Sequence, residues 1–334
     1  VGWSSHLPPI DDYRVGWRAA LENRPPMTPS HHLAVALAVA AGLALLSGGA
    51  RAREPGIAPV TPPGLTLGIP IAASLPAGLY WTQRSSFYDA TLTNGAGDYN
   101  GQHLSVFVNS SQLTYVPGFK LLGATYKAYT IFPFVDQWLD RTTRATGVPG
   151  QYSRLGMANP KFQPLDLTWD LGDGYHVGAG VGAYVPIGQY EKGANVNLGT
   201  NFYTVESSLG FTYLRDGWNA SLQAVYATNS ANELLKYRSG DELTINATVT
   251  RNFGGFNVGP VAYLLRQVTG DSNNGGRATF GGRTFAAPSN AAVGALVSHA
   301  FGTTILAAYG TKEVECRNTV GGYKIWLTAT FKLF

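Results

Sequence analysis

From Leu79 to Phe334, apolar and polar residues alternate in segments of about 10–14 residues, broken by Gly, Asp and Asn. The stretch "DELTINATVTRNFGGF", Asp241 to Phe256, shows the pattern most plainly. Leu243, Ile245, Ala247 and Val249 alternate with Thr244, Asn246, Thr248 and Thr250, and the alternation stops at Gly254-Gly255. A period of two predicts a strand with one apolar and one polar face. Eleven further segments read the same way: Leu79–Ala90, His103–Tyr115, Phe119–Pro133, Lys161–Leu171, His176–Ile187, Phe202–Arg215, Trp218–Asn229, Phe256–Thr269, Asn290–His299, Thr303–Glu315 and Gly321–Phe334. That makes twelve.

The links between segments alternate in length. "VPG" at 116–118, "GDG" at 172–174, "DG" at 216–217, "GG" at 254–255 and "FG" at 301–302 are tight. The intervening links are mostly longer and polar, as in "TNGAGDYNG" at 93–101, "DRTTRATGVPGQYSRLG" at 140–156 and "GDSNNGGRATFGGRTF" at 270–285. An antiparallel meander with short turns at one end and long loops at the other predicts an all-β, transmembrane up-and-down β-barrel of about 12 strands. An even count puts both ends of the barrel on the short-turn, periplasmic side.

The sense of the alternation decides between this barrel and an exported, soluble β-sandwich, whose apolar residues would point inward. One face of several segments is uniformly apolar or aromatic: Val177, Ala179, Val181, Ala183 and Val185; Tyr203, Val205, Leu209, Phe211 and Tyr213; Tyr323, Ile325, Leu327, Ala329, Phe331 and Leu333. The other face carries Lys127, Glu206, Gln223, Asn246, Lys324 and Thr328 in mid-strand, which suits a hydrated lumen better than a soluble core. Tyr80, Trp81, Trp169, Tyr213, Trp218 and Phe256 fall near strand ends, where interfacial belts form. The expected arrangement is therefore greasy outside and wet inside.

Composition agrees. Only 13% of the 334 residues are charged, 41 are Gly and 18 are Tyr, against about 25% charged residues in soluble domains. Mean hydropathy is −0.03. The net charge of +4 is scattered, so nucleic acid is not an expected partner. The single cysteine, Cys316, rules out an intrachain disulfide.

The N-terminus predicts export. "LAVALAVAAGLALL" at 33–46 has the length of a signal-peptide apolar region and is too short for a spanning helix. Ala50-Arg51-Ala52 is a small-x-small cleavage site. Between Met27 and Leu33 the leader carries His31 and His32 but no Lys or Arg. The expected organisation is an upstream extension at 1–26, a signal peptide at 27–52, a Pro-rich segment at 53–76 and the barrel at 77–334. Six prolines between Pro55 and Pro76 bar that segment from a helix or a central strand.

Several pieces together resemble the outer-membrane family of phenol-degradation meta-pathway transporters (SphA-like). They are "PPGLTLGIPIAASLPAGLYW" at 62–81, "LTWDLGDGYHVGAGVGAYVPIGQY" at 167–190, "NELLKYRSGDELTINATVT" at 232–250, "VGPVAYLLRQVTGDSNNG" at 258–275 and "YGTKEVECRNTVGGYKIWLTATFKLF" at 309–334. The resemblance covers roughly 62–334. It implies a barrel in the bacterial outer membrane, in contact with lipid and lipopolysaccharide, that passes small hydrophobic or aromatic solutes without a cofactor. The final "LTATFKLF" resembles the signal that barrel-assembly machinery reads, although Phe334 is one residue out of phase with the apolar face. Oligomeric state is left open.

The candidate pore-lining residues are Lys127, Gly178, Gly180, Gly182, Tyr184, Glu206, Gln223 and Gln267. The three glycines either receive the Pro-rich segment inside the lumen or let the wall bend. The polar members either select solutes or pair with one another. Two other classes of function compete: a structural or adhesive barrel, and a lipid-active hydrolase. The hydrolase reading rests on His103 and Ser105, which share a strand face at the spacing found in outer-membrane phospholipase A. Asp271–Gly275 resembles half a calcium loop but lacks the later Glu, and three dispersed histidines beyond residue 52 do not make a zinc site.

Overall fold

The computed structural model describes residues 51–54, 56–142 and 149–334. The upstream extension, the apolar leader region and all but the last two residues of the expected signal peptide lie outside the described residues.

Thirteen strand segments make the wall: β1 Gly78–Thr93, β2 Tyr99–Val116, β3 Ala124–Thr142, β4 Pro149–Met157, β5 Lys161–Gly172, β6 Tyr175–Tyr184, β7 Thr204–Arg215, β8 Trp218–Asn229, β9 Glu242–Phe253, β10 Phe256–Gln267, β11 Ser289–Phe301, β12 Thr304–Arg317 and β13 Val320–Lys332. β4 and β5 both pair with β3, one above the other, so the wall has twelve positions. Every neighbouring pair is antiparallel, and β13 returns to β1 to close the barrel. Closure leaves no unpaired edge, which a lipid surroundings requires.

The tight turns follow from residues that tolerate a left-handed backbone. Asp173-Gly174, Asp216-Gly217 and Gly254-Gly255 all have positive φ at both positions, the conformation of a two-residue hairpin turn.

One expectation is corrected between Pro133 and Lys161. The third segment does not end at Pro133 but runs nine residues further, and much of the expected loop at 140–156 is strand. Pro133, which has no N–H to give, falls opposite the break between β4 and β5, where the ladder is interrupted anyway.

The apolar faces point outward. Val181, Val205, Leu209, Ile325 and Leu327 are exposed, while Thr244, Asn246, Thr248 and Thr250 of β9 are buried inside. At the short-turn end Trp81 stacks on Phe331, and Phe256, His299 and Phe301 form a second ring group. Trp138 and Tyr323 are exposed at the opposite end. An apolar band between two aromatic girdles is the surface of a membrane barrel. Tyr80 is not in the girdle: alternation with outward Trp81 turns it inward, and its hydroxyl donates to the Pro76 carbonyl at 2.7 Å.

β1 to β3 depart from this rule. Their outward face carries Gln83, Ser85, Asn109, Ser111 and Asp136 among Phe87, Phe107 and Phe134. Gln83 donates to Asn109 and accepts from Ser111 at 2.7 Å, so these polar groups satisfy one another. The inward face of β2 and β3 toward the long-loop end is correspondingly apolar (Leu104, Val106, Val108, Ile131, Val135, Leu139), whereas β1 turns Thr82, Arg84, Ser86 and Tyr88 inward.

Candidate functional site

Residues 53–77 form a tail inside the barrel. It begins beside Glu242 and Ser239 at the long-loop end and reaches β1 at the short-turn end, crossing the whole lumen. Prolines prevent regular structure, and the tail folds as consecutive turns, with bonds from Leu65 to Pro62, Leu67 to Gly64, Ile69 to Thr66 and Ala73 to Pro70. Gly64 and Gly68 take positive φ of 87° and 82° to permit this path.

Every fourth residue gives its backbone N–H to the wall. Gly64 donates to Asn246 Oδ1 at 2.9 Å, Gly68 to Thr248 Oγ1 at 2.9 Å, and Ala72 to Thr212 Oγ1 at 3.0 Å. Side chains add more: Thr61 donates to Glu206, Thr66 to Gln223 at 2.6 Å, and Ser74 and Thr168 share a hydrogen bond. Tyr309 donates its hydroxyl to the Gly64 carbonyl at 3.0 Å. The apolar side of the tail, Leu65 and Leu67, packs on Val261, Tyr263, Ala292, Leu296, Tyr309 and Trp326. Polar inward residues thus act as fixed partners for a backbone that has no secondary structure of its own.

At the rim the tail is latched. Arg53 pairs with Glu242 at 2.6 Å, and the Glu54 carboxylate accepts from Tyr190 at 2.7 Å and Asn232 at 2.9 Å. Burial raises the Glu54 carboxyl above its ordinary value, and the two hydrogen bonds pull it partly back.

The eight candidate residues all lie on the inward face, in different roles. Glu206 pairs with Lys161 and accepts from Thr61. Tyr184 and Tyr129 place their rings 5.6 Å from the Lys161 ammonium. Lys127 pairs with Asp166 at 3.4 Å. Gln223 holds the tail, and Gln267 binds Asp271 at 2.7 Å near the rim. Gly178 faces Ala72 of the tail, whereas Gly180 and Gly182 face Gln163. Gly210, which the sequence did not single out, also abuts Ile71 and Ala72.

The tail does not fill the lumen. A cavity of about 600 Å³ remains between its proline face (Pro59, Pro62, Pro63) and the inward sides of β1 to β3. The wall there is Leu104, Val106, Val108, Ile131, Val135 and Leu139, and Tyr184 borders it as well. The inward apolar side chains of β2 and β3 therefore make the chamber largely apolar, with Ser86 and Tyr88 of β1, Ser110 and Gln137 among them.

His103 and Ser105 sit outside the barrel, on the face that β1 and β2 turn away from the lumen. Asp89 joins them: it lies 3.1 Å from His103 Nε2, and it accepts the Ser105 hydroxyl at 3.3 Å. The hydroxyl proton is committed to a carboxylate, so the imidazole is not placed as the base for Ser105. Asp89 was not visible as a partner in the sequence because it comes from the neighbouring strand. Among the described residues no group of three or more His, Cys, Asp or Glu could hold a metal.

A closed barrel with a lipid-facing band and a chain segment threaded through its lumen defines a class, the outer-membrane β-barrels. The sequence profile of the family described as "Putative MetA-pathway of phenol degradation" matches residues 88–329, and the chain belongs to that family. No curated protein matches the sequence. The fold is similar to an outer-membrane channel of Pseudomonas putida F1, with 15% identity, 81% of this chain and 99% of that one covered, and a TM-score of 0.66. Similarity is weaker to the β domain of the Bordetella autotransporter BrkA (16% identity, 77% and 100% covered, TM-score 0.42). The CymD monoaromatic hydrocarbon channel also matches weakly (9% identity, 78% and 89% covered, TM-score 0.37).

Proposed function

We propose that the protein, once relieved of residues 27–52, is an outer-membrane channel that lets small hydrophobic or aromatic compounds move passively down their gradients. The observation that carries this reading is the largely apolar chamber between the proline face of the tail and the inward sides of β2 and β3. A water-filled porin lumen is polar throughout; here an apolar solute finds a surface on which it is stabilised by burial, of the order of 25 cal/mol per Å². The chamber has the size range of small-molecule sites, about 300–1,000 Å³. The tail narrows the path, so that large hydrated solutes are excluded, and Lys127, Tyr184, Glu206, Gln223 and Gln267 shape the passage around it. No covalent step is involved. The family description, which concerns phenol degradation, is consistent with such solutes.

The test is uptake of labelled phenol by cells with intact lipopolysaccharide that either make or lack the protein. Faster uptake with the protein is expected, and equal rates contradict the reading.

A further inference from the structure

Among the polar side chains that border the chamber, the charged ones are Arg53 and Glu54, latched at the rim, and a lysine. The lysine is Lys324 of β13, only 8% exposed. Its ammonium lies 4.5 Å from the centroid of the Tyr88 ring and 5.4 Å from that of Tyr263. Among the described residues it has no hydrogen bond and no carboxylate within ion-pair distance. The other lumenal lysines differ: Lys161 is paired with Glu206 and Lys127 with Asp166. Glu313 is the carboxylate that acts on Lys324 from further off, but its oxygens are occupied by the Tyr263 hydroxyl and by the Gly322 N–H at 2.9 Å.

A second cation lies further down the same wall. Arg84 of β1 is 4% exposed, and its Nη1 donates to the neutral Gln112 at 2.7 Å. It makes no ion pair with a carboxylate among the described residues. Arg84 is opposite Thr328, and Lys324 is opposite Tyr88. The two cations are therefore four residues apart along the β1–β13 pair, about 13 Å at ~3.3 Å per residue. The step runs from the chamber toward the short-turn end.

A buried ammonium beside apolar surface is costly unless an anion or a full set of acceptors compensates it. Tyrosine faces supply part of that compensation. They also leave the ammonium without an acceptor at the edge of a space that fits one aromatic ring.

We infer that the chamber binds a small monocyclic aromatic anion, a carboxylate, sulfonate or phenolate. Its ring lies against Val106, Val108 and Ile131 and its charged group on Lys324 Nζ. Arg84 offers the next station toward the short-turn end. Two weak sites in series suit conduction, since an anion must be held firmly enough to enter and loosely enough to leave. This inference rests on the channel reading above and narrows its solute class.

The experiment uses planar bilayers holding the mature chain, with ion current blocked by added benzenesulfonate, a permanent anion, or by benzenesulfonamide, its neutral analogue. In the wild type, benzenesulfonate should block with an affinity at least about tenfold higher, the value of one charge-assisted contact. Lys324→Met should abolish that preference, and Lys324→Arg should keep it, which separates lost charge from lost fold. Equal affinities in the wild type, or a preference that survives Lys324→Met, overturn the inference while leaving the channel in place. Bilayers that pass no ion current overturn the channel reading, and the inference falls with it.

Discussion

Ala72 of the tail lies against Gly178 of β6. A Cβ on Gly178 would come 3.5 Å from both the Cα and the Cβ of Ala72, an ordinary van der Waals contact. Gly178→Ala is therefore expected to leave single-channel conductance near the wild-type value. Gly178→Phe should lever the tail off the wall and raise conductance. Equal conductance for all three proteins would show that this contact does not position the tail.

The polar cluster on the outward face of β1 and β2 gives a second expectation. Gln83, Asn109 and Ser111 satisfy one another in a region that lipid covers. Asn109→Leu alone strands the Gln83 amide and should destabilise the barrel by about 1–3 kcal/mol, the cost of one buried unsatisfied polar group. Replacing Gln83, Asn109 and Ser111 together with apolar residues should recover most of that loss. Urea unfolding in lipid bilayers measures both, and additive losses would contradict the cluster's self-sufficiency.

The rim carries a pH-dependent contact. Asp271, in the loop between β10 and β11, accepts from Tyr237, from the Gly240 N–H at 2.8 Å and from Gln267 at 2.7 Å. Burial pushes its pKa up to about 6, above the ~3.9 of an unfolded aspartate. A raised acid favours the folded state most when protonated, so the contribution is complete below the unfolded value and lost as pH rises through about 6. Hydrogen exchange of residues 237–241 should be slower at mildly acidic than at mildly alkaline pH, after correction for intrinsic rates. Asp271→Asn should remove the difference.

Ser105 separates channel from hydrolase. Its hydroxyl is given to Asp89, and no imidazole is placed to deprotonate it. Phospholipid turnover by the purified protein is expected to be the same for the wild type and Ser105→Ala. A loss on substitution would establish an enzyme on the outer face of the barrel.

The strand pattern was readable because side-chain direction in a strand repeats every two residues, and β7, β9 and β13 keep that period through the membrane. Twelve wall positions follow from counting it. The direction of the alternation is a different matter, because it is set by which face meets lipid and not by the local pattern. In β2, Val106 and Val108 alternate with Phe107 and Asn109, and nothing local says that the valines face the lumen. The apolar chamber was hidden for that reason. The partners of the tail were hidden too: Gly64 meets Asn246 across 182 residues of sequence, and Ala72 meets Thr212 across 140. Gly178 stood out because a strand glycine signals close approach; Lys324 did not, since a lone inward lysine looks the same whether or not a carboxylate faces it.

On the proposed channel reading the tail sets how wide the passage is, and removing it is the most direct measurement. Single-channel conductance should be compared for the mature chain and for a variant lacking residues 53–76. The intact chain should conduct in small steps, and the shortened one in steps several times larger with the same strand content by circular dichroism. Steps of equal size in the two proteins would contradict the account.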